Sequence, residues 1–436
     1  MKAYYTENIQ FYIILLVWLV TGMYGGPIIY IVLPATLLLM KRQGMYEEML
    51  LGFFFILILS DSYELRLFFA KSAKNVYITL LAVFFLFDSK EFQPLNSLYK
   101  LFFPFFLISV YCLCFTETFG ISVQKTLSYY LMILVIPNYF AKIYRDNGEA
   151  FFKNLVFFVV TILLISALLI VVSHNVAYSS GRYRGMLGNP NGLGLFCFLV
   201  FLLFSVIKNV KPNLFGQREV AFIYVVIVAS MLLTGSRNSI VGVLVFVLFQ
   251  RFFKINAFFG FLMAILFVFG IELVSSNLTT IVTSLGLGDF LRVKTLDDGS
   301  GRYVAWGFAW KQVQENLFIG KGFGYDEHYM RSNWDLLSKM GHQGGVHNTF
   351  LTFWLDMGLV GLLIYLRSLI LAFAKAAKNT TLAYPIMFVI IFTAFFESWL
   401  VGSLNPHTII FLMILTLISD PEFYIKKEDE LSLAID

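Results

Sequence analysis

Arg182 and Arg184 in GRYRG, Arg237 in TGSRN, Arg302 in GRYVAW and the pair His347-Asn348 stand out in a chain with only 14% charged residues. A guanidinium presents a planar fork to phosphate oxygens and keeps its charge at any physiological pH. An imidazole titrates near neutrality and can take the proton of a hydroxyl. Together they suit group transfer away from a phosphate, with fixed positive charge where negative charge develops and a base for the incoming hydroxyl. Arginines among these residues would favour the neutral, basic form of His347. The plain alternative is that the arginines snorkel to headgroup phosphates and His347 is a hydrogen-bonded helix-end residue.

Further polar residues bear on the same chemistry. The Asn-Pro-Asn at 189–191 opens a helix with Asn189 or Asn191 as its cap, and that N-terminus favours an anion. Asp356 and Glu397 lie inside apolar segments, where charge is costly and functional by default. Pairing with an arginine is the favoured expectation for either. His328, His342 and His347 with Asp326 and Glu327 give HxxxxH plus an acidic pair, which matches no metal motif with a mechanism. Neither a metal nor a cofactor is expected.

The elements that must position these residues are membrane helices. The 436 residues are 59% hydrophobic and 18% aromatic, with 49 Phe, whereas a soluble domain carries about 25% charged residues. Apolar runs such as LVFFVVTILLISALLIVV are continuous rather than alternating, which favours helices over strands. About fourteen apolar segments follow from hydropathy, near 9–23, 27–40, 46–60, 75–88, 101–116, 127–144, 152–174, 191–208, 219–234, 238–251, 255–274, 347–366, 382–403 and 406–419; the count falls to about twelve if two are re-entrant. The fold class is an all-α polytopic membrane protein. The first run reads as a retained helix rather than a signal peptide. Cys112, Cys114 and Cys197 all lie in apolar runs and imply no disulfide framework. The net charge of +5 is scattered between apolar runs and does not point to nucleic acid.

Charge assigns the sides. With both termini cytoplasmic, most basic residues, including Lys41, Arg42, Lys142, Arg145 and the tail residues Lys426 and Lys427, fall inside. Only Arg66, Lys71, Lys74, Lys125, Arg182, Arg184 and Arg237 fall on the short outer connections. GRYRG, TGSRN and one long loop then share an extracytoplasmic face. In that loop GRYVAWGFAWKQVQENLF reads as a helix with Tyr303, Trp306, Ala309, Trp310 and Val313 on its apolar face, lying on the membrane or capping a cavity. The division expected is a transmembrane bundle over 1–274, the extracytoplasmic loop with short helices over 275–346, C-terminal transmembrane helices over 347–419 and a solvated cytoplasmic tail over 420–436.

RYRGMLGNPNGLGLF, LLTGSRNS, GRYVAWGFAWKQVQENLFIGKGFG and HNTFLTFWLDMGLVGLLIYL occur in that order, and over roughly 180–370 the chain resembles the O-antigen ligase and O-antigen polymerase superfamily of bacterial membrane glycosyltransferases. The resemblance implies a GT-C-like bundle of about twelve to fourteen helices with one large extracytoplasmic loop, in the bacterial inner membrane. It implies a glycan donor on undecaprenyl diphosphate and an inverting, metal-independent transfer. The acceptor would be lipid A-core in a ligase, or another lipid-linked repeat in a polymerase; the ligase is preferred for the His-Asn motif after a single long loop. Carried over by motif, Arg184, with Arg182 beside it, and Arg237 match the diphosphate-binding arginines, Arg302 the loop arginine and His347 the base; Asn191, Asn348, Asp356 and Glu397 are expected in support. The family often has Glu where this chain has Asp356. The rival from another class is a transporter of lipid-linked sugar or an anion, disfavoured because no internal repeat is seen and the polar residues gather at one face.

The charge bias yields a direct test. A fluorescent reporter placed after Asp436 is expected to fold and fluoresce in the cytoplasm, while alkaline phosphatase inserted after Asn333 is expected to be active. The opposite pattern would invert the topology.

Overall fold

The computed structural model describes residues 2–275, 301–342 and 344–424. The tail residues Lys426 and Lys427 lie outside the described residues, as does the stretch 276–300. Each apolar segment of the sequence forms a helix: Ile9–Tyr24, Ile29–Arg42, Tyr46–Asp61, Phe69–Phe87, Leu98–Cys112, Phe119–Asn147, Glu149–Val172, Pro190–Val210, Gln217–Thr234, Arg237–Ile255, Ala257–Ser275, Thr349–Ala376, Ala383–Phe396 and Pro406–Ser419. Among the described residues, seven helices are long and apolar enough to cross a membrane by length and composition, and shorter apolar helices accompany them. The chain is an all-α polytopic membrane protein. Among the described residues, strand pairing is confined to Tyr178–Ser179 with Arg182–Tyr183, antiparallel.

The helix starts follow local chemistry. Asn189 and Asn405 each accept backbone N–H groups of the first turn and each precedes a proline at N1, where the missing N–H costs nothing. Lipid is as apolar as leucine, so helices associate by close packing and hydrogen bonds. Gly194 illustrates this: a Cβ there would overlap Ser236, so its helix lies directly against the turn at 234–236. Tyr129 donates to Leu400 O at 2.9 Å from within the core.

The Phe119–Asn147 helix marks the two ends of the bundle. Near its start, Lys125 Nζ pairs with Glu327 Oε1 at 2.9 Å. Near its end, Arg145 Nη1 pairs with Glu422 Oε2 at 3.0 Å, and the tail segment Pro421–Tyr424 tucks Phe423 against Phe140 and Tyr144.

At the Lys125 end the long loop folds into helices Arg302–Glu315, Tyr325–Ser332 and Trp334–Lys339. A small core of Ala305, Ala309, Val313, Tyr325, Met330, Leu337 and Val346 packs on Leu355. The apolar face expected for Arg302–Glu315 is rotated. Ala309 and Val313 are buried as expected, but Tyr303 is 59% and Trp310 40% exposed, while Ala305 and Gln312 turn inward. Small residues win because they let the helix lie close on Thr349–Ala376; spacing alone admits more than one face.

That long helix is broken. Gly358 takes φ 70 and ψ 179, a conformation open to glycine. The break strands backbone groups in a buried stretch of the helix, where an unpaired group costs free energy comparable to a lost hydrogen bond. The loop pairs them: Leu359 N–H donates to Leu317 O at 2.9 Å, Val360 N–H to Phe318 O at 3.3 Å, and Gly322 N–H to Asp356 O at 2.8 Å. The approach is backbone to backbone. A Cβ on Gly320 would overlap Asp356 O, and one on Gly358 would overlap Phe318 O.

The Asp356 carboxylate completes this seat, and its expected arginine partner is corrected. It accepts Gly324 N–H at 2.7 Å and Asp326 N–H at 2.8 Å, so turn amides rather than a guanidinium satisfy it. Lys125, beside Asp326 at 3.5 Å, compensates the local negative charge. Lys125 holds the Glu327 carboxyl below its usual range, whereas burial pushes that of Asp326 up against the pull of Lys125.

Gly358→Ala puts a Cβ at positive φ and into Phe318 O. It is expected to destabilise the protein by about 1–3 kcal/mol, seen as a lowered midpoint in thermal unfolding of detergent-purified protein. An unchanged midpoint would mean that the loop does not depend on this seat.

Candidate active site

His347 is held by a staple between two helix ends. Asn348 caps Thr349–Ala376, its Oδ1 accepting Leu351 N–H at 2.9 Å. Asn348 N–H donates to Ser398 Oγ at 2.9 Å, Thr349 Oγ1 to Glu397 O at 2.8 Å, and Thr352 Oγ1 bonds Ser398 Oγ at 3.0 Å. Glu397, in extended backbone, and Ser398 lie just past Ala383–Phe396, where their polar groups reach across. Within this frame His347 adopts φ 53, uncommon for a residue with a Cβ and costing of order 1–3 kcal/mol. The ring comes to rest with Nδ1 at 3.0 Å from Glu397 Oε2.

Glu397 is the hub. Its other oxygen, Oε1, accepts Arg302 Nη2 at 2.8 Å and Asn191 Nδ2 at 3.4 Å, while Arg302 Nε donates to Phe396 O at 3.1 Å. Asn191 Oδ1 accepts Arg182 Nη2 at 2.9 Å, and Arg182 also donates through Nε and Nη2 to Thr234 O at 3.0 and 2.8 Å. The network runs from His347 through Glu397 and Asn191 to Arg182 and the turn at 234–236. Arg237 starts the next helix at that turn, which Gly235 makes possible at φ 59. Of the two candidate asparagines, Asn189 is the cap, its Oδ1 accepting Gly192 N–H at 2.7 Å; Asn191 is released to join the network.

Two expected members lie elsewhere. Arg184 donates to Val176 O at 2.9 Å and Gly188 O at 3.3 Å and faces Glu64 at 3.6 Å, so it braces the turn ahead of Pro190–Val210. Asp356 belongs to the loop seat. The charged partner at the His347 ring is a carboxylate, not one of the arginines expected there. The other histidines and acids divide between places: Asp326 and Glu327 turn to Lys125, and His342 bonds Gly345 O at 3.0 Å with its ring 5.8 Å from that of His347. Burial holds His342 below the usual histidine range. Ser398 and Thr234 escaped the sequence reading. Ser398 carried a signal, since Glu-Ser directly after an apolar run is a polar pair at a helix end; Thr234 carried none, because its backbone oxygen does the work.

The geometry sets the tautomer. Glu397 is ion-paired with Arg302, so its oxygens only accept, and Nδ1 of His347 must carry the hydrogen. Nε2 is left as the basic nitrogen, on a side chain 33% exposed. Gly344 guards the approach, because a Cβ there would lie 2.9 Å from Nε2. Arg302 uses Nε and Nη2 on the protein, and a guanidinium has five N–H donors, so among the described residues Nη1 is not part of these bonds.

Residues 222–366 match the family model described as O-antigen ligase, which supports the O-antigen ligase and polymerase superfamily. The matched stretch includes Arg237, Arg302, His347, Asn348 and Asp356; Arg182, Arg184 and Asn191 precede it and Glu397 follows it. No curated protein matches the chain.

Reactivity tests the geometry without reference to substrate. Diethyl pyrocarbonate is expected to modify the His347 peptide, and Gly344→Ala to slow that modification several-fold, read by peptide mass spectrometry. Equal rates would show that Gly344 does not control access to Nε2.

Proposed function

We propose that the protein is a glycosyltransferase of the O-antigen ligase type, moving a polysaccharide from undecaprenyl diphosphate to a sugar hydroxyl at the outer face of the bacterial inner membrane. The observation that carries this reading is the Glu397 carboxylate bridging His347 Nδ1 and Arg302 Nη2. It joins a positioned base to a fixed positive charge, which transfer away from a diphosphate requires. The family match supports the class of activity.

In the proposed reaction the acceptor hydroxyl approaches His347 Nε2 and its oxygen attacks the anomeric carbon. The new C–O bond forms as the bond to the diphosphate oxygen breaks, with inversion. The hydroxyl proton goes to Nε2, and Glu397 steadies the resulting imidazolium as a carboxylate does in a Ser-His-Asp site. The electron pair leaves with the diphosphate, whose oxygens face Arg302 and Arg182, with Arg237 at the same turn. Arginines supply the charge, so the step is proposed as metal-independent. The N-terminal turns of Pro190–Val210, Arg237–Ile255 and Thr349–Ala376 add their dipoles near the same place. Arg184 supports this region through the turn it braces. The polyprenyl tail would lie along the Phe-rich helices, a GT-C-like arrangement.

His347→Ala is expected to lower transfer by about 10²–10⁴-fold at unchanged membrane abundance. Glu397→Gln should lose a large part of this too, because an amide can donate to Nδ1 and so permits the wrong tautomer. The measurement is the surface polysaccharide of the native host, on a gel beside wild type and a deletion strain. Unattached lipid-linked polymer in the mutant identifies a ligase acting on lipid A-core; single repeats attached to the acceptor identify a polymerase joining lipid-linked repeats. Normal polysaccharide in His347→Ala would remove the base assignment and favour transport.

A further inference from the structure

We propose that residues 317–323 form a re-entrant segment embedded in the bilayer leaflet on the loop side, with Leu317, Phe318 and Ile319 in contact with lipid acyl chains. The inference rests on the multi-pass membrane fold and not on the proposed reaction.

Three observations set the depth. Gly358, whose break receives this segment, lies nine residues below Thr349, about 13 Å along the helix at 1.5 Å per residue. Phe323 is fully buried, with its ring 5.7 Å from Phe105, 5.3 Å from Tyr129 and 6.0 Å from Phe353. Phe105 is seven residues from the end of Leu98–Cys112, so the Phe323 ring reaches about 10 Å down that apolar helix, while the backbone at Gly322 lies against Thr116 and Ser122. The segment therefore turns in against the membrane helices and returns, its backbone paired with the broken helix at Leu317, Phe318 and Gly322.

The flank away from the bundle is apolar. Leu317, Phe318 and Ile319 are 37%, 63% and 37% exposed. Exposed apolar side chains in succession are unfavourable in water and ordinary against lipid. Interfacial residues mark the level above them. Trp310 and Trp354 stack edge to face at 5.3 Å, with Trp354 Nε1 donating to Leu317 O at 2.9 Å, as in the aromatic belts of membrane proteins. Lys321 Nζ reaches Glu117 at 2.8 Å, a snorkelling geometry that takes its ammonium away from hydrocarbon. The occupant is thus bilayer hydrocarbon rather than a protein partner. Anchoring the loop at this depth holds Arg302 and His347 near the level of the headgroup phosphates, one helix segment above.

The unaltered full-length protein tests this. It is reconstituted in phosphatidylethanolamine and phosphatidylglycerol vesicles containing a phospholipid with a photoactivatable acyl chain, irradiated and digested with trypsin. Adducts are expected on the peptide spanning 312–321, at Leu317 to Ile319, at a yield comparable to the exposed faces of the spanning helices. Labelled spanning helices beside an unlabelled 312–321 peptide would overturn the proposal. The readout contains no activity, so it stands or falls separately from glycan transfer.

Discussion

A carboxylate with little solvent must find cations and donors, and Glu397 does so by gathering most of the site around itself. Desolvating a carboxylate is expensive unless its lone pairs are filled. Here they are filled from several elements: His347 ahead of the broken helix, Arg302 at the start of the loop helix, and Asn191 at the start of Pro190–Val210. These residues are far apart in sequence, yet one charge sets where each must stand. The strained backbone of His347 is tolerated because the Asn348–Ser398 and Thr349–Glu397 bonds over-determine its position.

Backbone pairing performs the corresponding task for the loop. A helix broken in a buried stretch requires partners for its freed groups, and residues 317–322 supply them. The loop is thereby tied to the helix that carries His347 ahead of its N-terminus. Two buried charge systems result, with separate roles. Lys125, Asp326, Glu327 and Asp356 fasten the loop, and Arg182, Asn191, Arg302, Glu397 and His347 form the network proposed as the active site. Mixing them would cost the site its open side, since Asp356 has both oxygens committed to turn amides while among the described residues His347 bonds through Nδ1 alone.

Much of this was legible in the sequence, for physical reasons. Long continuous apolar runs leave the backbone no choice but helix in a membrane, so the helices fall where hydropathy puts them. Asn-Pro is a start signal because its side chain accepts and its ring needs no partner, and Asn189 behaves accordingly. Ionisable residues are rare enough in such a chain that each attracts notice, which is why Arg182, Arg302, His347 and Glu397 were visible as candidates, and the pairing with an arginine expected for Glu397 is found.

Which carboxylate pairs with which cation was decided only by the tertiary structure. Asp356 and Glu397 look alike in sequence, each an acid in an apolar run; one meets turn amides and the other meets Arg302 and His347, because helix packing places them against different neighbours. Arg184 resembles Arg182 two residues away, yet the short strand pairing sends one guanidinium to Thr234 and Asn191 and the other to the turn at Gly188. The apolar face of Arg302–Glu315 was chosen by how closely it could approach Leu355, a property of the assembled surfaces. Residue type and local spacing determine what an element is and what each side chain is able to do; partnership depends on distances between elements, and those exist only once the bundle has packed.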